Sequence, residues 1–319
     1  MKILAIQNRM GIGDMVIFLP YIEAVAKKYK SEVTLLVKEN SKAEQLIKEN
    51  KYINEIIILK RGQNKRSFHD GLTGFFRLVS DIKKYQFDKV LIFNSSLRYN
   101  LVCKLAGISE VYQYPLFRKK NQHILDAANS LLKNNFNLVI ESDPVINIKE
   151  ENIQNTKVKF NFDDDVKNIL LGIGGSGPTK RIPPKIFIKF MNLCIKNFKC
   201  RFFLATGNRN EEVEIMNEIL NYHRNICTAI NELSIFETLP VIKNCNIAVC
   251  NDSSFSHISA GLGKPTIVLM SDTPLIYGSY SSKMHPIMPD GIEKVTHGTE
   301  GKEQINPLKI FEKFQSLIK

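Results

Sequence analysis

The chain has 319 residues, 44% hydrophobic and 24% charged, with a formal net charge of +12 at pH 7 and an isoelectric point near 9.3. This composition excludes a disordered or fibrous chain, and the length suggests two domains at roughly 150 residues each. The charge points to anionic partners: phosphorylated small molecules, an anionic membrane surface or nucleic acid. The basic residues are spread along the chain, without aromatic interleaving or a zinc-finger or RRM-type signature, which sets nucleic acid aside.

Residues 1–6 read as a buried first strand, followed by a turn at Met10-Gly11-Ile12-Gly13-Asp14 and an amphipathic helix to about Tyr29. Strand-like runs at 33–37, 56–59 and 89–93 alternate with helix-like stretches that include 70–84, 96–106 and 122–134. That alternation is the pattern of a parallel sheet covered on both faces. The polar segment from Glu150 to Asp165 has few apolar residues and no clear period, and reads as a linker. Strands then recur near 168–173, 201–205, 225–228, 246–250 and 265–270, so the pattern predicts two open α/β domains. No segment reaches roughly 18 consecutive apolar residues, and the N-terminus begins with a strand pattern rather than a signal peptide. The six cysteines include no C-x-x-C and several lie in apolar runs, as expected for buried thiols in a reducing compartment. The expectation is a cytoplasmic protein, with the cytoplasmic membrane face as a place of peripheral contact.

In open α/β sheets ligands bind outside the carboxyl ends of strands. Three polar clusters fall there: Gly13-Asp14, the stretch Gly172-Ile-Gly-Gly-Ser-Gly-Pro-Thr-Lys-Arg181, and Asn251-Asp-Ser-Ser-Phe-Ser-His257. The second is a strand end, a glycine-rich turn and a helix start, where backbone amides beside Lys180 and Arg181 favour a phosphate. It is not a Walker A loop, because Pro178 stands where the lysine belongs. It is a poor dinucleotide fingerprint too. Gly172, Gly174 and Gly177 match the letters, but Pro178 and then Pro183-Pro184 delay the helix that should hold the pyrophosphate.

"GIGDMVIFLPYIEAV", "GGSGPTKRIPP" and "NDSSFSHISAGLGKPTIVL", in that order and roughly 160 and 75 residues apart, resemble the ADP-heptose:lipopolysaccharide heptosyltransferase family, glycosyltransferase family 9. Ser96-Leu97-Arg98 and His123 add weaker likenesses. The resemblance covers nearly the whole chain. It implies a GT-B fold, two Rossmann-like doubly wound domains facing a central cleft, here residues 1–155 for the acceptor and 156–319 for the nucleotide sugar. The last helix is a candidate to pack back on the N-terminal domain.

By the same resemblance, transfer inverts the anomeric carbon and uses neither metal nor cofactor. The donor, ADP-heptose, is expected at Gly175, Ser176, Gly177, Thr179, Lys180, Glu211, Asp252, Ser253, Ser254 and His257. Glu212 is an equal rival to Glu211 for the ribose. Asp14 is the expected general base, although its position also suits a first-turn carboxylate that stabilises a helix. Asp252 is open to the same capping role, and His257 to plain packing. An anionic glycolipid or glycan acceptor is expected near Gly13, Lys65, Arg66 and Arg98, unless those cations form a solvated basic face. Ser254 and Phe255 depart from the family pattern, which usually has glycine and then proline or leucine. The alternatives are a GT-B transferase using another nucleotide sugar and a nucleotide-sugar-binding protein without turnover. The run Asp163-Asp164-Asp165 contains a D-x-D pattern but precedes a strand rather than following one, so no metal is expected there.

Overall fold

Short runs rich in Val, Ile and Leu form the strands, and the amphipathic stretches between them form the helices, in a computed structural model that describes residues 1–9, 11–62, 67–116, 123–141 and 143–318. The chain divides into two units, Met1–Pro144 and Val145–Lys319.

The first unit runs β1 (Ile3–Gln7), α1 (Ile12–Tyr29), β2 (Val33–Val37), α2 (Ala43–Leu46), β3 (Ile53–Ile58), α3 (Gly71–Lys83), β4 (Lys89–Ile92), α4 (Leu97–Leu105), β5 (Glu110–Gln113) and α5 (Ile124–Phe136). Its strands pair in parallel in the order β3-β2-β1-β4-β5. β1 and β2 are buried throughout, without polar alternation, because helices cover both faces of the sheet. One face packs Leu4, Ile6, Val90 and Ile92 against Leu78 and Ile82 of α3 and Tyr99 and Val102 of α4. The chain builds outward from β1 to β2 and β3 on one side, then returns to β4 and β5 on the other. The carboxyl ends of β1 and β4 therefore splay around a crevice at the point where the winding reverses.

The second unit runs α6 (Glu150–Lys159), β6 (Lys167–Gly172), α7 (Pro184–Asn197), β7 (Cys200–Ala205), α8 (Asn210–His223), β8 (Cys227–Ala229), α9 (Ile235–Asn244), β9 (Ile247–Asn251), α10 (Ser254–Gly261), β10 (Thr266–Leu269), β11 (Met284–Ile287) and α11 (Pro307–Leu317). Six parallel strands lie in the order β11-β10-β9-β6-β7-β8, so the reversal falls between β6 and β9.

Two expectations change. The segment read as a linker is mostly the helix α6, which carries Glu150 and Glu151 in its first turn and Lys157 and Lys159 in its last. Those charges complement the helix dipole, and Asn244 of α9 donates to the Ile153 carbonyl at 3.0 Å. The helix lacks an apolar stripe because only Thr156 of its residues is buried. The last helix belongs to the second unit: Ile310, Phe311 and Phe314 of α11 enter that unit's core, with Phe314 edge-on to Phe190 of α7 at 5.6 Å between ring centroids. The two units divide between Pro144 and Val145, ahead of α6.

Candidate functional site

At the end of β6 the chain enters a loop held from beneath. Asn251, the fully buried last residue of β9, donates from Nδ2 to the carbonyls of Ile173 (2.7 Å) and Gly174 (3.1 Å). The Gly175 N–H donates to Glu212 Oε1 at 3.0 Å. A Cβ on Gly174 would stand 2.7 Å from that same oxygen, and one on Gly207 would stand 2.6 Å from Glu212 Oε2. Glycine at both positions lets the backbone close over a buried carboxylate. Gly177 differs. A Cβ there would meet nothing nearer than Thr179 Oγ1 at 3.9 Å, so this side of the loop is open to an approaching ligand.

The residues that follow are anchored individually. Arg181 donates from Nε to the Gly175 carbonyl (3.1 Å) and faces Glu211 at 3.6 Å. Arg209 donates to the Ser176 carbonyl. The Thr179 hydroxyl donates to Asp272 Oδ2 at 2.7 Å, and Ser271 Oγ donates to the Thr179 carbonyl at 2.9 Å. Asp272 also accepts the N–H groups of Gly298 and Glu300. Burial would raise the Asp272 carboxyl, but the Glu300 N–H, the Thr179 hydroxyl and the Gly298 N–H outweigh it and hold it below the ordinary carboxylate value.

Across the reversal, Lys180 Nζ meets Asp252 Oδ2 at 2.8 Å, with the aspartate side chain only 4% exposed. Burial alone would raise Asp252, yet the charge of Lys180, with His257 behind it, lowers it below the ordinary value. Ser253 precedes α10 in extended conformation and makes no side-chain capping bond; its Oγ is buried without a hydrogen-bond partner. Ser254 is the first residue of that helix. His257, one turn further on, lies 3.0 Å from the Tyr280 hydroxyl through Nδ1, with the two rings stacked. An uncovered loop backbone, a helix N-terminus with an unpartnered hydroxyl and a lysine balanced by one buried carboxylate together make a cradle for an anion.

In the first unit Asp14 is the third residue of α1. Its Oδ2 accepts the Gly11 N–H at 3.3 Å and its Oδ1 faces Arg9 Nη1 at 3.3 Å. Gly13 lies beside it in the same first turn. The carboxylate thus caps the helix, and its side chain remains 23% exposed. Arg98 is engaged elsewhere: its guanidinium donates to the carbonyls of His69 (2.9 Å) and Gly71 (3.1 Å) and lies over the Phe75 ring. It fastens the turn that starts α3 rather than offering a free cation. Lys65 and Arg66 lie outside the described residues. His123 caps α5, its Nδ1 accepting the Leu125 N–H at 3.3 Å. Burial lowers its pKa.

The crevice at β1 and β4 holds a cavity of about 530 Å³, lined by Asn8 and Arg9 after β1, Phe93 to Ser95 after β4, Tyr114 after β5 and one face of α5. The acidic run near residue 164 is occupied locally: Asp163 Oδ1 accepts the Asp165 N–H (2.9 Å), and Asp164 pairs with Lys157 (2.8 Å).

A family model described as glycosyltransferase family 9 (heptosyltransferase) matches residues 75–288. The chain belongs to this family. Lipopolysaccharide heptosyltransferase 1 of Campylobacter coli is 22% identical to it over 324 aligned positions, 93% of this chain and 91% of that protein. Among solved structures, E. coli ADP-heptose lipopolysaccharide heptosyltransferase II superposes with a TM-score of 0.75 at 18% identity, covering 100% of this chain and 98% of the other. The family 9 glycosyltransferase of Veillonella parvula gives 0.78 at 18%, over 99% and 97%, and E. coli heptosyltransferase WaaC with ADP gives 0.74 at 14%, over 99% of each. The protein is a glycosyltransferase of GT-B fold.

In this family 9 enzyme the sites foreseen from sequence gather at the two winding reversals. Gly175, Ser176, Gly177, Thr179, Lys180, Asp252, Ser253, Ser254 and His257 cluster around the ends of β6 and β9, while Asp14 and Gly13 follow β1. Glu211 stands apart, its side chain 67% exposed beside Arg181, and Glu212 is the acid beneath the loop. Helical phase carried that signal, because Glu212, Met216 and Ile219 form the buried face of α8. Asp272 was not foreseen, and Asn251 was named only as the start of a polar cluster; both act on backbone far away in sequence, which no local pattern records.

Proposed function

We propose that the protein moves a heptose from ADP-heptose to a lipopolysaccharide-core or related surface glycan acceptor, with inversion and without a metal. The observation that carries this reading is the anion cradle at β6 and β9: the open backbone at Gly177, the unpartnered Ser253 Oγ at the start of α10, and Lys180 beside Asp252. A diphosphate placed there meets the positive end of a helix and shares Lys180 with Asp252, so the negative charge that grows on the leaving ADP is stabilised without a metal ion. Asp14 takes the proton from an acceptor hydroxyl as its oxygen attacks the anomeric carbon, and the bond from that carbon to the diphosphate breaks. His257, held by Tyr280, supports the charge of Asp252, which binds the donor sugar. The net charge of +12 suits work as a peripheral protein at the cytoplasmic, anionic membrane face.

The test is a thermal-shift comparison of ADP-heptose with ADP, other nucleotide sugars and UDP, followed by transfer assays with and without EDTA. At a hundredfold excess over Kd a ligand stabilises the folded state by about 2.7 kcal/mol. ADP-heptose should raise the midpoint most, and transfer should survive EDTA. A larger shift from a uridine or guanosine sugar would reassign the donor, and activity lost to EDTA and restored by Mg²⁺ would end the metal-free mechanism.

A further inference from the structure

The outer face of α3 and α4 is apolar where a helix covering a sheet ordinarily turns polar residues to water. Of the fourteen exposed large hydrophobic side chains among the described residues, six lie between positions 68 and 105: Phe68, Leu72, Phe76, Leu97, Leu101 and Leu105. Leu72 and Phe76 stand four residues apart on α3, and Leu97, Leu101 and Leu105 recur every fourth residue on α4, so each set forms one stripe. The two helices lie side by side. Arg98 of α4 stacks over the Phe75 ring of α3 at 5.3 Å and donates to the Gly71 carbonyl, which closes the seam between them. Leu72 is three residues before Phe75 and Leu101 three after Arg98, so both stripes border that seam. Tyr99, Val102 and Cys103 fill the core beneath α4, as Leu78 and Ile82 do beneath α3, which turns the stripes outward. Arg77, Lys83 and Lys104 are exposed beside them. Arg77 also lies over the Phe68 ring at 4.8 Å, with Lys60 Nζ 5.9 Å from the same ring. The single acid on the two helices, Asp81, is held by Lys84 at 2.9 Å and His69 at 3.2 Å.

We infer that this face docks on an anionic lipid bilayer, with Leu72, Phe76, Leu101 and Leu105 entering the boundary between headgroups and acyl chains and Arg77, Lys83 and Lys104 meeting acidic headgroups. It names a surface for the peripheral membrane contact proposed above and rests on that reading. Exposed leucines scattered singly need no partner, but two adjoining stripes of Leu and Phe ringed by cations have the composition of helices that lie in a membrane interface. A second copy of the chain would set the same cations against each other. Protein interfaces favour Trp, Tyr and Arg at their centres, whereas the stripes hold only Leu and Phe. Both helices start at the carboxyl side of their parallel sheet, so Leu72 and Leu97 stand at the rim that carries the β1–β4 crevice and Asp14. A bilayer against this face therefore presents lipid-borne glycans to the ligand-binding side of the first unit.

The test is co-sedimentation of the full chain, without donor or acceptor, with vesicles of phosphatidylcholine alone and of phosphatidylcholine mixed with phosphatidylglycerol. Wild type should bind the mixed vesicles at least about tenfold more tightly than the neutral ones, and less tightly as salt rises. Leu72→Gln combined with Phe76→Gln and Leu105→Gln, at positions each more than half exposed, should weaken binding to mixed vesicles about tenfold or more with the thermal midpoint unchanged. Lys83→Gln combined with Lys104→Gln should weaken it about ten- to thirtyfold and leave binding to neutral vesicles as it was. No binding of wild type to mixed vesicles, equal binding to both kinds, or variants that bind like wild type would each overturn the assignment. A dimer in sedimentation velocity that the apolar-to-Gln substitutions dissolve, without vesicle binding, would give the face to a second copy instead. The readings fail separately: variants that sediment like wild type leave a peripheral protein that docks by another face, whereas a wild type that ignores both kinds of vesicle ends the peripheral reading as well. Heptose transfer is measured by neither result and stands or falls on its own assay.

Discussion

Asp14→Asn separates two roles of one carboxylate, the helix cap seen in the structure and the general base proposed above. The asparagine keeps an oxygen for the Gly11 N–H, so the backbone cap at 3.3 Å survives, while the charge facing Arg9 and the helix dipole is lost. Arg9 is 47% exposed and Asp14 23%, so the ion pair belongs to the weak surface class, about 0–1 kcal/mol, and the dipole contribution is of similar size. The structural cost is therefore about 1 kcal/mol, a fall of about 2–4 °C in the midpoint of a domain this size. Loss of a general base costs roughly 10²- to 10⁴-fold in rate, which at 1.36 kcal/mol per decade is about 2.7–5.5 kcal/mol of barrier. The catalytic effect thus exceeds the structural one severalfold. The assay is kcat at saturating donor and acceptor, with a melting curve and a donor titration on the same preparation. The expected result is a kcat lower by at least a hundredfold, a small midpoint shift and unchanged donor affinity. A kcat within threefold of wild type, or a loss of activity that merely follows a loss of folded protein, would refute Asp14 as the base.

Lys180→Ala should raise donor KM roughly ten- to hundredfold, as expected for a lost charge-assisted hydrogen bond, and should lower the thermal midpoint because it strands the buried Asp252. Adding Asp252→Asn should recover the midpoint but not the donor KM, so recovery of both would place the pair in the framework alone. Asp252 is held below its ordinary pKa, so its stabilising contribution is complete above the unfolded value, about 3.9, and disappears as pH falls through the lower folded value. An acid titration of wild type should accordingly lose more stability below about pH 4 than the Asp252→Asn variant, and parallel curves would contradict the assigned shift. Asp272→Ala releases the Thr179 hydroxyl and the amides at 298 and 300; it should raise donor KM with kcat nearly unchanged, which steady-state kinetics at varied donor would check.

The local information in this chain was enough for most of its elements. Apolar runs such as 169–171 and 247–250 become strands wherever both sheet faces are covered, and the amphipathic stretch 71–83 closes as α3 on its Leu78 and Ile82 face. Position after a strand also selected the candidates: Asp14, Lys180 and Asp252 each follow a strand's carboxyl end, the side on which open α/β sheets bind ligands. Elements whose stability comes from neighbours were not legible. Helix α6 has no apolar stripe and is held by charges at its ends and by α9. Edge strand β11 contains Pro286, which an edge tolerates because a missing N–H there breaks no central ladder. Strand order, and with it the two reversals, depends on which parallel strands pair across long crossovers, and a sequence pattern of period 2 or 3.6 carries no record of partner. The ion pair Lys180–Asp252 joins residues 72 apart, Thr179–Asp272 residues 93 apart, and Asn251 reaches 78 positions back to Ile173. The same distance effect turned Arg98 from a free cation into a clasp on His69 and Gly71, and made Glu212 rather than Glu211 the acid beneath the loop. Residue type and spacing decide which groups the chain owns. Only the folded sheet decides which of them meet, because the free energy of each meeting depends on burial and geometry set by segments far away in sequence.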